Sequence, residues 1–288
     1  MRKILLFVFA ACLVLVGCKK EQPRPDNGNG SGIDEWDTVY IDFTPYQVTP
    51  MKSSAVSAVC SRLDIYIIDL AENDTLRIHQ SRDVNGTGFG TASAVLKTNK
   101  TYRLLAVAHN SADTCTFSAG IVSFTEEKTK QSMVADTVFC PGDGLSLSVE
   151  MKRFVGMFKL RVADELPAEV THFQFVVDSA YSKWNVPLAQ GVSLERRTAT
   201  ITNLARGTDG YVTLNVYLIP DDLTATRTVS VTVTALDAQE AVVEQRVFEA
   251  VPIRAGYITK YTGTFFITFD MGFTFLAGDW NEFPDQEF

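Results

Sequence analysis

Apolar and polar residues alternate over many short stretches of this chain, and turn residues separate the stretches. The clearest case is Arg227 to Leu236 (RTVSVTVTAL), where valines alternate with serine and threonine. A period of two places successive side chains on opposite faces of a β-strand. Helical periodicity is nearly absent, so the pattern predicts an all-β protein built from β-sandwiches.

These stretches fall into two blocks with no flexible linker between them. We therefore predict an N-terminal β-sandwich over residues 34–148, a C-terminal β-sandwich over residues 149–270, and a tail over residues 271–288. Residues 126–131 are a short helical exception. The predicted strands cover residues 39–43, 62–70, 75–79, 89–96, 102–109, 122–124, 133–139, 145–151, 155–162, 171–178, 198–202, 211–219, 227–236, 242–248, 258–261 and 264–269.

The amino terminus has the pattern of a bacterial lipoprotein signal. A basic start precedes a 13-residue apolar run, Ile4 to Val16, which is shorter than the ~20 residues that usually span a bilayer. Leu15-Val16-Gly17-Cys18 matches a lipobox, so residues 1–17 are predicted to be removed and Cys18 to be acylated. The alternative is an ordinary secretory signal that contains a cysteine by chance. Residues 18–33 are rich in Gly, Pro and Asn and are predicted to be a flexible tether.

The charge of the chain argues against nucleic acid as a partner. The net charge is −8, and removal of residues 1–17 takes away two basic residues and no acid, which leaves 24 basic against 34 acidic residues, or −10. Nucleic-acid binding requires basic surfaces. A small-molecule ligand is also not expected, and no sequence motif indicates a cofactor or a metal.

After processing, the remaining cysteines are Cys60, Cys115 and Cys140, which allow at most one internal disulfide. Cys115 and Cys140 both lie in loop-like sequence, so they are the preferred pair. Cys60 precedes an apolar strand and is expected to be buried as a small hydrophobic residue.

The sequence contains no catalytic motif. The three histidines, His79, His109 and His172, lie in or beside apolar strands and far from each other in the sequence, so each is expected to be structural. No HExxH, GxSxG, EF-hand or Walker A pattern occurs. We therefore expect a protein that is not an enzyme.

Aromatic residues in loops and near the ends of the chain allow two interpretations. Trp36, Tyr181, Trp184 and Trp280 could form a platform that stacks on sugars, although packing in a core or an interface is favoured. The tail contains Phe273, Phe275 and Trp280, which is too apolar for an unpaired acidic end. It either caps its own sandwich or contributes to a subunit contact.

Two longer segments carry a family resemblance. Met151 to Leu160 (MKRFVGMFKL) and Val251 to Gly263 (VPIRAGYITKYTG), together with the lipobox, the tether and the two β-blocks, resemble the fimbrillin group of Bacteroidetes. Within that group, the chain is most similar to lipoprotein anchor and accessory subunits of type V pili. The resemblance implies two transthyretin-like sandwiches, other fimbrial subunits as partners, assembly by strand exchange, and a lipid anchor in the outer membrane.

In polymerising subunits of that family, an Arg- or Lys-specific protease removes the first strand. Between the first predicted strand and residue 58 this chain has Lys52 but no arginine, and Arg24 is followed by Pro25. This favours a retained lipid and an anchor or accessory role, with the protein exposed on the cell surface. The alternative is a surface glycan-binding lipoprotein of a polysaccharide-utilisation system.

Overall fold

The computed structural model describes residues 35–46, 56–111, 115–124, 131–142, 144–267 and 270–277. Strands dominate this part of the chain, and helix is limited to α1 (Arg82–Asn85) and two 3-10 turns, Val56–Ala58 and Gly86–Gly88. The predicted all-β sandwich class is confirmed. Within the described residues, no helix is long and apolar enough to cross a membrane. The predicted helical exception at 126–131 lies almost entirely outside them.

The described residues of the N-terminal half, within 35–153, form nine strands. They are β1 (Trp36–Pro45), β2 (Arg62–Asp69), β3 (Thr75–Ser81), β4 (Thr91–Lys97), β5 (Tyr102–His109), β6 (Thr116–Ser118), β7 (Ile121–Ser123), β8 (Ser132–Phe139) and β9 (Ser146–Arg153). Seven of them form a path in the order β3-β2-β5-β8-β9-β1-β4.

Strand β9 connects the two layers of this half. Its residues up to Met151 pair in parallel with β1, whereas Lys152 and Arg153 pair with β8. The path therefore closes around one core, to which both layers contribute, with Val39, Phe43, Leu63, Ile65 and Leu104 at 0–1 % exposure.

The C-terminal half, residues 156–277, contains eight strands. They are β10 (Gly156–Val162), β11 (His172–Asn185), β12 (Gln190–Ile201), β13 (Val212–Leu218), β14 (Arg227–Leu236), β15 (Val242–Ile253), β16 (Tyr257–Thr264) and β17 (Asp270–Ala277). One sheet has the order β13-β10-β16-β17, and the other has the order β15-β14-β11-β7-β6 with β12 paired to β11. A second core lies between these sheets and includes Phe158, Phe173, Phe175 and Phe265.

The two halves repeat one strand order. The first strand of each half, β1 or β10, lies between an antiparallel neighbour (β4 or β13) and a parallel neighbour (β9 or β16). In the opposite layers, β3-β2-β5-β8 corresponds to β12-β11-β14-β15. The halves differ in two features. β17 has no counterpart among the described strands of the N-terminal half, and residues 237–241 join β14 to β15 directly whereas the path from β5 to β8 includes β6 and β7.

No linker separates the halves. Ser148, where we predicted the boundary, lies inside β9, and β10 begins at Gly156. Phe154 and Val155 between the two strands are fully buried. A Cβ on Gly156 would lie 2.7 Å from the carbonyl oxygen of Arg254, so the chain passes too close to its neighbour here for a larger residue.

The tail begins later than predicted. Residues 270–277 form β17, which pairs antiparallel with β16 from Thr264↔Asp270 to Tyr257↔Ala277. A bend at residues 265–267 separates this strand from β16, and Phe265 there is buried in the core. The apolar character of residues 264–269 predicts a strand, but Phe265 fills the core at this bend and Phe266 packs against it.

Candidate functional site

A buried carboxylate lies on the outer face of the sheet β3-β2-β5-β8, the face away from the N-terminal core. Asp64 is in β2, where Leu63 and Ile65 point into that core and alternation places Asp64 on the opposite face. Its register neighbours are His79 on β3 and Val107 on β5. Asp64 is only 1 % exposed, so its charge requires hydrogen-bond donors.

Four groups from three other segments supply those donors. His79 Nδ1 lies 2.7 Å from Asp64 Oδ1, and His109 Nε2 lies 3.0 Å from Asp64 Oδ2. The thiol and the backbone N–H of Cys115 donate to Asp64 Oδ2 at 3.0 and 3.2 Å. We call Asp64, His79, His109 and Cys115 the Asp64 cluster.

The hydrogen bonds fix the tautomer of neutral His109 and stabilise the ionised form of Asp64. The backbone N–H of Ser111 donates to His109 Nδ1 at 3.2 Å, so neutral His109 carries its proton on Nε2 and donates it to Asp64. Burial alone would raise the pKa of Asp64, but bonds from His109, Cys115 and His79 outweigh it and lower that pKa from 3.8 to about 2. Burial and the charge of Asp64 raise the pKa of the Cys115 thiol well above its usual range.

This arrangement does not activate a nucleophile. A reactive cysteine needs a lowered pKa, and here the thiol is protonated and donates to the carboxylate rather than to a histidine. Asp64, His109 and Cys115 have metal-ligating atoms within 4.8 Å of one another. A metal on His109 Nε2 would require a proton on Nδ1, and that proton would face the N–H of Ser111. The donor set therefore suits a hydrogen-bonded structural cluster better than a metal centre.

The cluster fastens a segment that connects the two halves. Residues 115–124, which we call the strap, contain β6 and β7 and leave the sheet to which β5 and β8 belong. Cys115 begins the strap at Asp64, and β7 pairs with β11 of the C-terminal half through Ile121↔Asn185 and Ser123↔Lys183. The strap therefore ties the outer face of the N-terminal half to a C-terminal sheet.

Aromatic packing reinforces this tie. Phe117 stacks on Tyr66, with ring centroids 4.2 Å apart, and Phe124 contacts the ring of His109. A third apolar cluster forms between the halves and includes Tyr66, Val122, Phe154, Trp184 and Ile258. Its members come from both halves and the strap, so the junction has its own packed core.

The predicted pair of Cys115 and Cys140 is wrong, because Cys115 is a free buried thiol. Cys115 contacts Asp64, which is paired with Val107 on β5, and Val107 is paired with Val134 on β8. Cys140 instead follows Phe139, the last residue of β8. Six strand residues separate these levels, about 20 Å, and a disulfide requires Cα atoms within about 7 Å. Cys60 is fully buried, as expected.

Two of the three histidines, His79 and His109, meet in the cluster although they are 30 residues apart in the sequence, so their positions along the chain do not predict the contact. His172 remains apart from them and contacts Glu240 at 3.2 Å. The sequence signal for the cluster is Asp64 itself, an acid among the hydrophobic residues of LDIYII (residues 63–68).

The predicted aromatic platform is not assembled. Trp184 is fully buried between the halves, Tyr181 lies under the guanidinium of Arg227, and Trp36 is 58 % exposed on the N-terminal half. Trp280 and the predicted lipidation site Cys18 lie outside the described residues, as do the predicted signal and tether. Phe273 and Phe275 pair through their backbones with Tyr261 and Thr259 of the same chain.

The fold is similar to several solved structures from Bacteroides. A candidate cell adhesion protein from Bacteroides ovatus matches 84 % of this chain and 96 % of its own, with a TM-score of 0.52 and 14 % identity. A candidate adhesin from the same species covers 85 % and 97 %, with a TM-score of 0.52 and 13 % identity. A candidate polysaccharide-binding protein from Bacteroides thetaiotaomicron covers 79 % and 92 %, with a TM-score of 0.52 and 10 % identity.

No protein-family model matches the chain. No curated protein sequence matches it either. The shared property is therefore the fold, which extends over nearly the whole length of the solved structures.

Proposed function

We propose that this chain is a cell-surface lipoprotein that serves, without catalysis, as a structural anchor or accessory subunit of fimbriae. The observation that carries the proposal is the fold shared with candidate adhesins over more than four fifths of the chain. The lipobox at Cys18 supplies an attachment to the outer membrane. On this proposal the two halves are tandem transthyretin-like sandwiches, and the partners are other fimbrial subunits.

The first strand supports an anchor or accessory role over a polymerising one. β1 is hydrogen-bonded on both sides, to β4 and to β9. Val39, Ile41 and Phe43 of this strand are buried to within 2 % in the N-terminal core. A chain that keeps β1 has no vacant groove in this sheet for the strand of a neighbouring subunit.

The junction between the halves suits a protein that bears load. A fibre attached at one end pulls on the connection between the halves of its anchor, and a single linker would bend. Here the chain crosses at Phe154 and Val155 and again through the strap, which the Asp64 cluster holds. Two buried connections resist bending better than one.

The proposal is tested in the native bacterium by deleting the gene and restoring it as wild type or as Cys18→Ala. We expect deletion to release fimbriae into the medium or to change their length, seen by electron microscopy, and only the wild type to restore them. Mass spectrometry of the surface form should find β1 retained. A mature form that begins after Lys52 would contradict the anchor role, and unchanged fimbriae would contradict any fimbrial role.

A second candidate function is glycan binding, because one sheet face exposes aromatic residues. Trp36, Tyr40 and Val95 are 56–60 % exposed on β1 and β4, and Tyr40 pairs with Ser93 and Ser146. A structural neighbour is a candidate polysaccharide-binding protein. Sugar-dependent quenching of Trp36 fluorescence that is lost in Tyr40→Ala would favour this function. If no glycan changes the fluorescence and deletion of the gene alters the fimbriae, the fimbrial role is favoured over glycan binding.

A further inference from the structure

The outer edge of β4 is protected at its two ends by side chains from the opposite layer of the N-terminal half. The side-chain amide of Gln80 donates to the carbonyl oxygen of Thr91 at 2.6 Å and accepts from the N–H of Gly90 at 3.0 Å. At the other end, the backbone N–H of Lys97 donates to the hydroxyl oxygen of Tyr102 at 3.2 Å. Both ends of this edge are therefore occupied.

Between these two ends, the backbone of β4 is open. Residues 91 and 97 direct backbone groups away from β1, and an antiparallel strand repeats this direction at every second residue. Ser93 and Val95 therefore each present an N–H and a C=O at the outer edge. Within the described residues β4 pairs only with β1, so these four groups have no backbone partner there. An edge of this kind binds another extended strand.

The open part of the edge is symmetric. Its centre is Ala94, midway between the two protected positions. An antiparallel second copy that places Ser93 opposite Val95 joins all four open groups in two hydrogen-bonded pairs. The protecting side chains at both ends limit the pairing to these residues. Self-complementarity about a two-fold axis is the property of a contact between identical chains, so the edge fits a second copy of this chain.

The outer faces beside the edge also match in such a pair. Val95 is 60 % exposed and lies opposite the small side chain of Ser93 of the second copy. In the same register, Lys97 lies opposite Thr91 of the second copy, which pairs with Asp42 of its own β1. Lys97 and this exposed aspartate are then two strands apart on one face, about 10 Å. Opposite charges therefore face each other across the axis, once for each copy.

We propose that two copies of this chain pair edge to edge through β4, antiparallel, about a two-fold axis at Ala94. The proposal is independent of the fimbrial role. It is compatible with attachment of both copies to one membrane, because the two Trp36 residues then lie six residues apart along the strands, about 20 Å. Both predicted tethers thus leave from the middle of the pair. Four backbone hydrogen bonds make a weak contact, which a shared membrane favours by raising the local concentration.

The test is disulfide trapping between chains that are co-expressed with two different epitope tags and oxidised on intact cells. Ser93→Cys in one chain and Val95→Cys in the other face each other in the proposed register, with Cα atoms ~5.5 Å apart, a separation that a disulfide permits. Two copies of the same variant place their cysteines diagonally, about 7–8 Å apart. We therefore expect the mixed pair to link about ten-fold more than either variant with itself.

The matched control for trapping is Ser146→Cys with Val95→Cys. Ser146 is an exposed serine on the same face, but it lies on β9, beyond β1. This pair should not link, because β1 and β4 separate Ser146 from the second copy. The proposal is overturned if the mixed pair of Ser93→Cys and Val95→Cys links no better than this control, or if each variant links equally well to itself. Trapping of Val95→Cys with a protein of another mass instead would also overturn it.

A proline variant tests the hydrogen bonds without a new cysteine. Val95→Pro removes one outward N–H from each copy and leaves the groups that face β1 unchanged, and edge strands tolerate proline. Sedimentation of the mature chain should show a monomer–dimer equilibrium, and Val95→Pro should weaken dimerisation about ten-fold. Its circular dichroism spectrum should match the wild type. Equal dimerisation of a correctly folded Val95→Pro variant would contradict pairing through this edge.

Discussion

At the scale of single residues, Asp64 shows how a β-sheet protein keeps a charge away from water. Its two oxygens accept hydrogen bonds from His79, His109 and both donors of Cys115. Each bond to an ionised acceptor is stronger than one between neutral groups. The carboxylate therefore stays ionised inside the protein and orders the groups around it.

We predict that Asp64→Asn lowers the free energy of unfolding by about 3 kcal/mol, since an amide cannot accept all these bonds and leaves buried donors unpaired. Urea denaturation measures the change. The control is Asp136→Asn, which breaks the half-exposed ion pair with Arg103 and should cost about 1 kcal/mol or less. Equal losses in the two variants would contradict the special role of Asp64.

Stability should also depend on pH through Asp64. Its folded pKa of about 2 lies below the usual 3.8, so its ionisation stabilises the fold above pH 3.8, and this contribution is lost as the pH falls towards 2. The shift corresponds to about 2 kcal/mol. The stability difference between wild type and Asp64→Asn should therefore shrink as the pH falls from 4 towards 2. A difference that does not vary with pH would show that the charge is unimportant.

At the scale of elements, the strap and β17 distinguish the two halves, whose other strands share one order. The corresponding connection in the C-terminal half, residues 237–241, is a short hairpin loop, whereas the strap reaches a sheet of the other half. The strap therefore couples two cores that would otherwise meet only at Phe154 and Val155 and the surfaces beside them.

Weakening the strap should separate the unfolding of the two halves. In wild type we expect one cooperative thermal transition, because both cores share the junction cluster. Phe117→Ala removes the stack on Tyr66 and should cost about 2 kcal/mol and broaden or split the calorimetric transition. Val95→Ala, at an exposed position on β4, serves as the control. A single sharp transition in Phe117→Ala would indicate that the strap does not couple the halves.

The β11–β12 hairpin depends on a glycine for steric reasons. A Cβ on Gly191 would lie 2.5 Å from the carbonyl oxygen of Pro220 and 2.6 Å from the ring of Tyr181. Gly191→Ala should therefore destabilise the protein by about 2 kcal/mol, measured by thermal unfolding. Gly88→Ala meets no atom within 4 Å and should be nearly neutral. Similar effects at the two positions would contradict the steric explanation.

At the scale of the whole molecule, two sandwiches of like topology are joined directly and strengthened by a second crossing. This design agrees with the proposed role as a fimbrial anchor or accessory subunit, for which Cys18 is the predicted point of attachment. No separate catalytic assembly emerges from the described residues, and the polar cluster there has a structural geometry.

Attachment should depend on one residue. Cys18→Ala is expected to leave an unprocessed precursor, because the signal peptidase of lipoproteins requires the acylated cysteine. Membrane fractionation and the mass of the protein measure this. A Cys18→Ala variant that matures and remains membrane-bound like the wild type would show that the signal is an ordinary secretory one.

Local alternation determined most of the fold class in advance. The bounds of β5 and β14 match the predicted residues 102–109 and 227–236 to the residue, because each strand buries one face and exposes or separately packs the other. The lipobox and the predicted retention of the first strand likewise depend only on nearby residues. Whether a segment forms a strand can be predicted from the residues next to it in the sequence.

Only the tertiary structure decided which distant residues meet. The partners of Asp64 lie 15, 45 and 51 residues from it, and the register of β2, β3 and β5 and the path of the strap bring them together. The same register places Cys115 and Cys140 at different levels of the sheet, so similar loop sequences could not predict their separation. Pairing between strands is a long-range choice of register, and a period of two does not encode it.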